Sequence, residues 1–163
     1  SYIAAEEDSF GDLYQWGRDS DGHQNRNSNQ ISGPVSAGSE GSDFITNFGD
    51  WLTNTDDDRW GDPADTDKGA EDPCPPGFRL PSENELSNLS ISSASDAFST
   101  LKLPVAGYRL SLNGTILSVG GRGQYWSSTV FSNEAVQLIF IATNVPLSNS
   151  VRASGSSVRC IKD

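Results

Sequence analysis

The sequence predicts a loop-rich α+β fold with little helix, in which strands dominate the carboxy-terminal half. Three observations carry this. Only 34% of the 163 residues are hydrophobic, while Gly, Ser, Asn and Asp are abundant, a balance that favours turns and irregular chain over packed helices. Four Trp, four Tyr and seven Phe nevertheless supply large side chains whose burial offsets chain entropy, so the chain folds. Beyond residue 103, short apolar runs alternate with Gly and Asn turns, the pattern of strands. The length suits one domain with one real core, taken as residues 1–163, and no internal repeat or linker divides it.

In chain order, Phe10, Leu13, Tyr14 and Trp16 form the first apolar anchor, as a short strand or a turn of helix. Residues 19–43 are almost purely Ser, Asn, Gly, Asp and Gln around Pro34, which predicts a long ordered surface loop. Phe44, Ile45, Phe48, Trp51, Leu52 and Trp60 recur irregularly and are expected to plug this loop into the body. The run from Pro73 to Pro81 holds four prolines that fix backbone angles, with Phe78 and Leu80 expected to face the core. Ser82 followed by Glu85 is a capping box, and Leu86 and Leu89 share a face, predicting a helix from about Glu83 to Leu89. Ala94, Ala97, Phe98 and Leu101 suit a second short helical turn. Leu103–Leu110 and Ile116–Val119 flank Asn113-Gly114, a pair suited to a hairpin turn. Gln124–Thr129 predicts a strand with Tyr125 or Trp126 inward. Ala135–Ala142 and Ser157–Ile161 predict two more, separated by a polar stretch from Thr143 to Gly155.

The formal net charge of -11 repels phosphate backbones and anionic headgroups, which argues against nucleic acid as a partner. No apolar run reaches membrane-spanning length, so direct membrane insertion is not expected. The amino terminus carries no signal pattern and the chain has no Met, as expected of a mature or excised domain. Cys74 and Cys160 lack metal-ligand spacing, and two readings stand: a disulfide closing a long loop in an oxidising compartment, or two separately buried thiols.

Catalytic apparatus is absent from the pattern. His23, the single histidine, sits in a polar loop and is expected to be a surface or loop-packing residue, so no nucleophilic triad can be built. The carboxylates crowd a polar segment with nothing apolar beside them to raise a pKa. That segment could hold calcium through Asp56, Asp58, Asp62, Asp65 and Asp67. It lacks the ligand alternation and terminal Glu of a known calcium loop, and a solvated acidic loop is the expectation, with no cofactor assigned. Gly120, Gly121 and Gly123 form no phosphate loop, and the sequons at Asn88 and Asn113 are ascribed to composition. In Ala135–Ala142 one strand face carries Val136, Leu138 and Phe140, and the other Ala135, Gln137, Ile139 and Ile141. If the first set is core, the second either meets another layer or stands exposed as a binding surface; the pattern leaves both open.

The ordered segments GDLYQWGR (11–18), CPPGFRLPSENEL (74–86), LKLPVAGYR (101–109), GQYWSSTV (123–130) and SSVRCIKD (156–163) resemble the Fibrobacter major-paralogous-type (FISUMP) domain and the variable proteins of diversity-generating retroelements. The resemblance spans nearly the whole chain. It implies a C-type-lectin-like fold of the formylglycine-generating-enzyme subtype, with one or two helices on small twisted antiparallel sheets. It also implies a non-catalytic, hypervariable ligand-binding protein of a phage or prokaryote, displayed on a cell or virion surface, that recognises a macromolecule through a region of about 124–163. Tyr125, Trp126, Ser127, Ser128, Ala135, Leu138, Phe140, Gly155, Val158, Arg159 and Cys160 would be scaffold. The implied ligand-binding positions are Phe131, Asn133, Val136, Gln137, Ile139, Ile141, Thr143, Leu147, Asn149, Val151, Ser154 and Ser156. Val136 conflicts with its strand parity, which puts it on the core side. The family reading turns Ile139 and Ile141 outward as the sharpest candidates. Apolar anchors within a rim of Asn, Ser and Thr suit a protein ligand better than a sugar, and the Glu-Pro-Asn and Trp-Asn-Asp signatures of calcium-dependent sugar binding are missing. The alternative is an undiversified adhesin or envelope module of the same family.

Overall fold

The computed structural model describes residues 10–61 and 67–163. It has two short helices, α1 (Glu83–Ser87) and α2 (Ala94–Leu101), among small sheets and much irregular chain, an α+β arrangement. Strands β1 (Tyr14–Gln15), β10 (Gly155–Ser156), β5 (Tyr108–Arg109) and β6 (Ile116–Leu117) form a four-stranded sheet in that order, which joins the start of the chain to its end. β2 (Gln30–Ser32) and β3 (Phe44–Thr46) pair in parallel, unlike the antiparallel sheets expected. β4 (Phe78–Arg79) pairs with β11 (Ile161–Lys162), beside a disulfide between Cys74 and Cys160. The largest sheet is the antiparallel meander β7 (Gly123–Phe131), β8 (Glu134–Phe140) and β9 (Leu147–Val151).

Local chemistry explains the helices. Ser82 accepts from Glu85 N–H while Glu85 accepts from Ser82 N–H, the reciprocal cap that starts α1, worth about 1 kcal/mol. The helix ends at Ser87, a half-turn earlier than Leu89, with Asn88 as its C-cap. Ser93 caps α2, which turns its small buried faces, Ala94 and Ala97, to the sheet and stops at Lys102 in left-handed geometry. Asn113-Gly114 does sit between β5 and β6, as the turn pair requires.

The meander is buried on both sides. On one, Tyr125, Leu138 and Phe140 pack with Leu86, Ala94, Ala97, Leu103 and Val105. Gly123 lies opposite Phe140 in register, and a Cβ there would come within 2.3 Å of the Phe140 ring, so the residue must be glycine. On the other side, Trp126 and Ala135 meet Trp16, Trp60, Leu80 and the disulfide. Tyr125 and Trp126 are therefore both inward, on opposite faces, because successive strand residues alternate.

Several expectations need correction. Phe48 is 84% exposed and Phe78 39%, so neither plugs the core, whereas Phe44, Ile45, Trp51, Leu52 and Trp60 do. Phe48 stands between Asn47 and Gly49 on a bend that no element covers. The polar stretch after Thr143 contains β9, whose Leu147 packs on the core and whose polar residues line a sheet edge. Ser157–Ile161 is not one strand, since residues 158–160 run between β10 and β11 without ladder bonds. His23 is a loop-packing residue, fully buried, and not a surface one. No helix among the described residues is long and apolar enough to cross a membrane.

Candidate binding surface

Irregular chain carries carbonyl groups that no ladder satisfies, and here buried side chains supply the donors. Arg18, wholly buried, donates to the carbonyls of Asp43, Glu40 and Gly41 at 2.9, 3.4 and 3.1 Å and pairs with Asp21. Arg109 reaches the carbonyls of Gly114 and Ser28 at 2.8 and 2.8 Å while its guanidinium lies 4.2 Å above the Phe44 ring. Arg152 lies 4.6 Å from the Trp16 ring, donates to the Ser132 and Asp56 carbonyls at 3.0 and 3.2 Å, and pairs with Asp57 at 2.5 Å. The indoles of Trp16, Trp51, Trp60 and Trp126 donate to carbonyls of Ser127, Trp16, Glu71 and Tyr14. Most of these bonds join segments distant in sequence, and Arg–aromatic stacking adds attraction in a dry setting.

His23 belongs to this scaffold. Its Nε2 accepts from Gln15 N–H at 3.0 Å and its Nδ1 lies 2.6 Å from Asp21 Oδ1, so the neutral ring donates at Nδ1. Burial pushes its pKa down to about 4, against the opposing pull of Asp21.

Apart from Leu147 and Asn149 on β9, the positions implied for binding separate into three groups. Phe131, at 60% exposure, and Asn133 form the β7–β8 turn, next to Val151, which pairs with Glu134. Arg152 holds this turn from beneath through the Ser132 carbonyl, and Ser154, half-buried, follows two residues later. Ile141, at 42% exposure, and Thr143 lie past the far end of β8. At about 3.3 Å per residue the two groups stand roughly 23 Å apart. Asn149 is exposed on the β9 edge, while Leu147 is half-buried against the core.

The third group is closed off. Val136, Gln137, Ile139 and Ser156 are 3%, 2%, 8% and 0% exposed. Val136 follows its strand parity into the interior. Gln137 accepts from the Ser156 hydroxyl at 3.0 Å, so these two residues satisfy one another behind the sheet. Ile139 is buried on the face that β10 overlies at Gln137, and of the outward pair only Ile141 is accessible. Among the residues expected as scaffold, Arg159 is exposed.

In the acidic segment Asp56, Asp58 and Asp67 are exposed, and Asp62 and Asp65 lie outside the described residues. No group of three or more His, Cys, Asp or Glu with metal-holding geometry occurs among the described residues. Asp72 departs from its neighbours: it is buried and accepts from the Cys74 and Leu80 N–H groups at 2.7 and 2.9 Å, fixing the proline-rich turn. Sequence reasoning missed the exposed apolar residues Phe48 and Leu112, whose loops meet through Asn47 N–H bonding the Ser111 carbonyl. The polar neighbours of each were the available signal. Comparison with family models, curated proteins and solved structures finds no match in any of the three.

Proposed function

We propose that this chain is a non-catalytic ligand-binding domain with the C-type-lectin-like fold, a variable protein of a diversity-generating retroelement displayed on a cell or virion surface. It recognises a macromolecular target, a protein rather than a sugar, through the β7–β8 turn and the adjoining end of β9. One observation carries the reading: Phe131 is largely exposed on a turn whose backbone is held by the buried Arg152, itself stacked on Trp16. An apolar anchor fixed before binding loses little entropy on docking, and Asn133, Val151 and Asn149 supply its polar and apolar rim. Ile141 and Thr143 form a secondary contact for a ligand large enough to reach them. Further support for a non-catalytic role comes from His23, both of whose ring nitrogens are engaged, and from the cysteines, which are joined to each other. The disulfide suits an oxidising exterior.

The purified domain, screened against surface proteins of candidate target cells, tests this. A captured protein whose binding is lost in Phe131→Ser and kept in Phe48→Ser supports the proposal. Binding that survives Phe131→Ser and disappears in Phe48→Ser contradicts it. At the level of the gene, a near-identical template repeat beside a reverse transcriptase, differing opposite adenines, separates a diversified protein from a fixed adhesin of the same family.

A further inference from the structure

Away from that turn, two cavities adjoin and share Leu103, Tyr125, Arg159 and Cys160 as lining residues. The first, of about 240 Å³, is walled by Leu86, Leu89, Leu101, Leu103, Leu138 and Ile161, between the two helices, the meander and the carboxy-terminal strand. The second, of about 330 Å³, is polar, and Ser157, Tyr125 and Asp12 are among its lining residues. Arg159 lines both. The residue is exposed and makes no hydrogen bond or ion pair among the described residues, whereas the buried arginines Arg18, Arg79, Arg109 and Arg152 are all engaged.

The polar cavity also borders a buried hydroxyl. Ser157 is 4% exposed, and its Oγ has no hydrogen-bond partner. It lies near enough to the Tyr125 phenol to influence its ionisation but makes no well-formed bond, while that phenol donates to the Pro104 carbonyl at 3.1 Å. That Oγ is closed off from solvent, so it offers no donor to a ligand in the cavity and leaves Arg159 as the polar contact.

We propose that the two cavities form one site for a small monoanionic amphiphile, its apolar body in the leucine-lined half and its carboxylate on the Arg159 guanidinium. Size supports the apolar half: a cavity of roughly 150 Å³ lined by aliphatic residues holds benzene, so this one has room for a chain of about eight carbons. The surrounding charges set the ligand charge. Glu85 lines the apolar cavity, but both its oxygens take Arg79 N–H groups at 2.8 Å, and Asp12 lines the polar one without an ion pair to Arg159. Lys102 lines the polar cavity too, yet its ammonium donates along α2 to the Ser99 carbonyl at 3.1 Å. One available cation flanked by carboxylates favours a single negative charge over a dianion. This inference reaches beyond the macromolecular surface and does not depend on it.

Calorimetric titration of the full chain with octanoate, 1-octanol and octyl phosphate tests the site. Octanoate should bind saturably, one per chain, with a Kd on the order of 0.1–1 mM. Arg159→Gln, at an exposed position, should weaken octanoate about tenfold and leave 1-octanol unchanged. Leu101→Phe, which fills the apolar half, should weaken both. Octyl phosphate should bind less tightly than octanoate. No saturable octanoate binding, equal octanoate affinity in Arg159→Gln, no response to Leu101→Phe, or tighter binding of octyl phosphate would each overturn the proposal.

Discussion

Residues 10–61 and the meander 123–151 occupy one body but are held by different means. The meander is stabilised as sheets usually are, with ladders broken only by a register shift between Trp126 and Val130, apolar residues on both faces of β8, and Tyr125 stacked on Phe140. In residues 10–61 the ladders are only two or three residues long, and buried arginines and indoles bond the carbonyls that the ladders leave over. The contrast teaches that a polar, glycine-rich segment can be ordered without a conventional core of its own, provided a few long donors reach it from a neighbouring aromatic layer.

If both regions form one cooperative unit, lesions in either should unfold the whole. The largest effect is expected for Trp126→Ala, which removes a fully buried indole from the layer joining the two regions and frees the Tyr14 carbonyl; urea denaturation should show a loss of about 4 kcal/mol. Arg109→Ala should cost about 3 kcal/mol by the same measurement, since it orphans buried carbonyls at Gly114 and Ser28. A small loss there would mean that water replaces the guanidinium and that the loops stand on their own.

Mild acidification reaches residues 10–61 through His23. The folded pKa of His23, about 4, lies below its ordinary 6.5, so its contribution is complete above pH 6.5 and is lost as the pH falls toward 4. A protonated ring would also set an N–H against the Gln15 N–H it now accepts from. Melting temperatures across that window should fall in the native protein and fall less in His23→Gln. The smallest effects separate Ile139 on β8 from Ile141 just past its end: Ile139→Val should cost about 1 kcal/mol and Ile141→Val nearly nothing, by the burial of the first and the exposure of the second. Equal costs would place the two side chains in the same environment.

What the sequence disclosed follows the same division. The capping box at Ser82 and Glu85 and the Asn113-Gly114 turn were legible because each is fixed by residues a few positions apart. The core parity of Val136, Leu138 and Phe140 was legible for the same reason. The fate of Ile139 was not, since alternation assigns it to a face without saying what covers that face. Arg18, Arg109 and Arg152 were invisible as framework, because a buried arginine and a solvated one have the same local pattern and differ only in the carbonyls that distant loops bring to them. Phe48 errs the opposite way, an aromatic residue in a loop that no second layer covers. Of the positions implied for the proposed surface, Phe131 and Asn133 are exposed, while Val136, Gln137, Ile139 and Ser156 are sealed.

Native-state hydrogen exchange tests the shared cooperativity most directly. The amides of Leu13, Trp16, Val35 and Phe44, all bonded to loop or distant carbonyls, should exchange with the same opening free energy as Tyr125 and Leu138 in the meander. Exchange of the first four through openings several kcal/mol cheaper than those of the meander would contradict the account and make residues 10–61 a separately fluctuating cover.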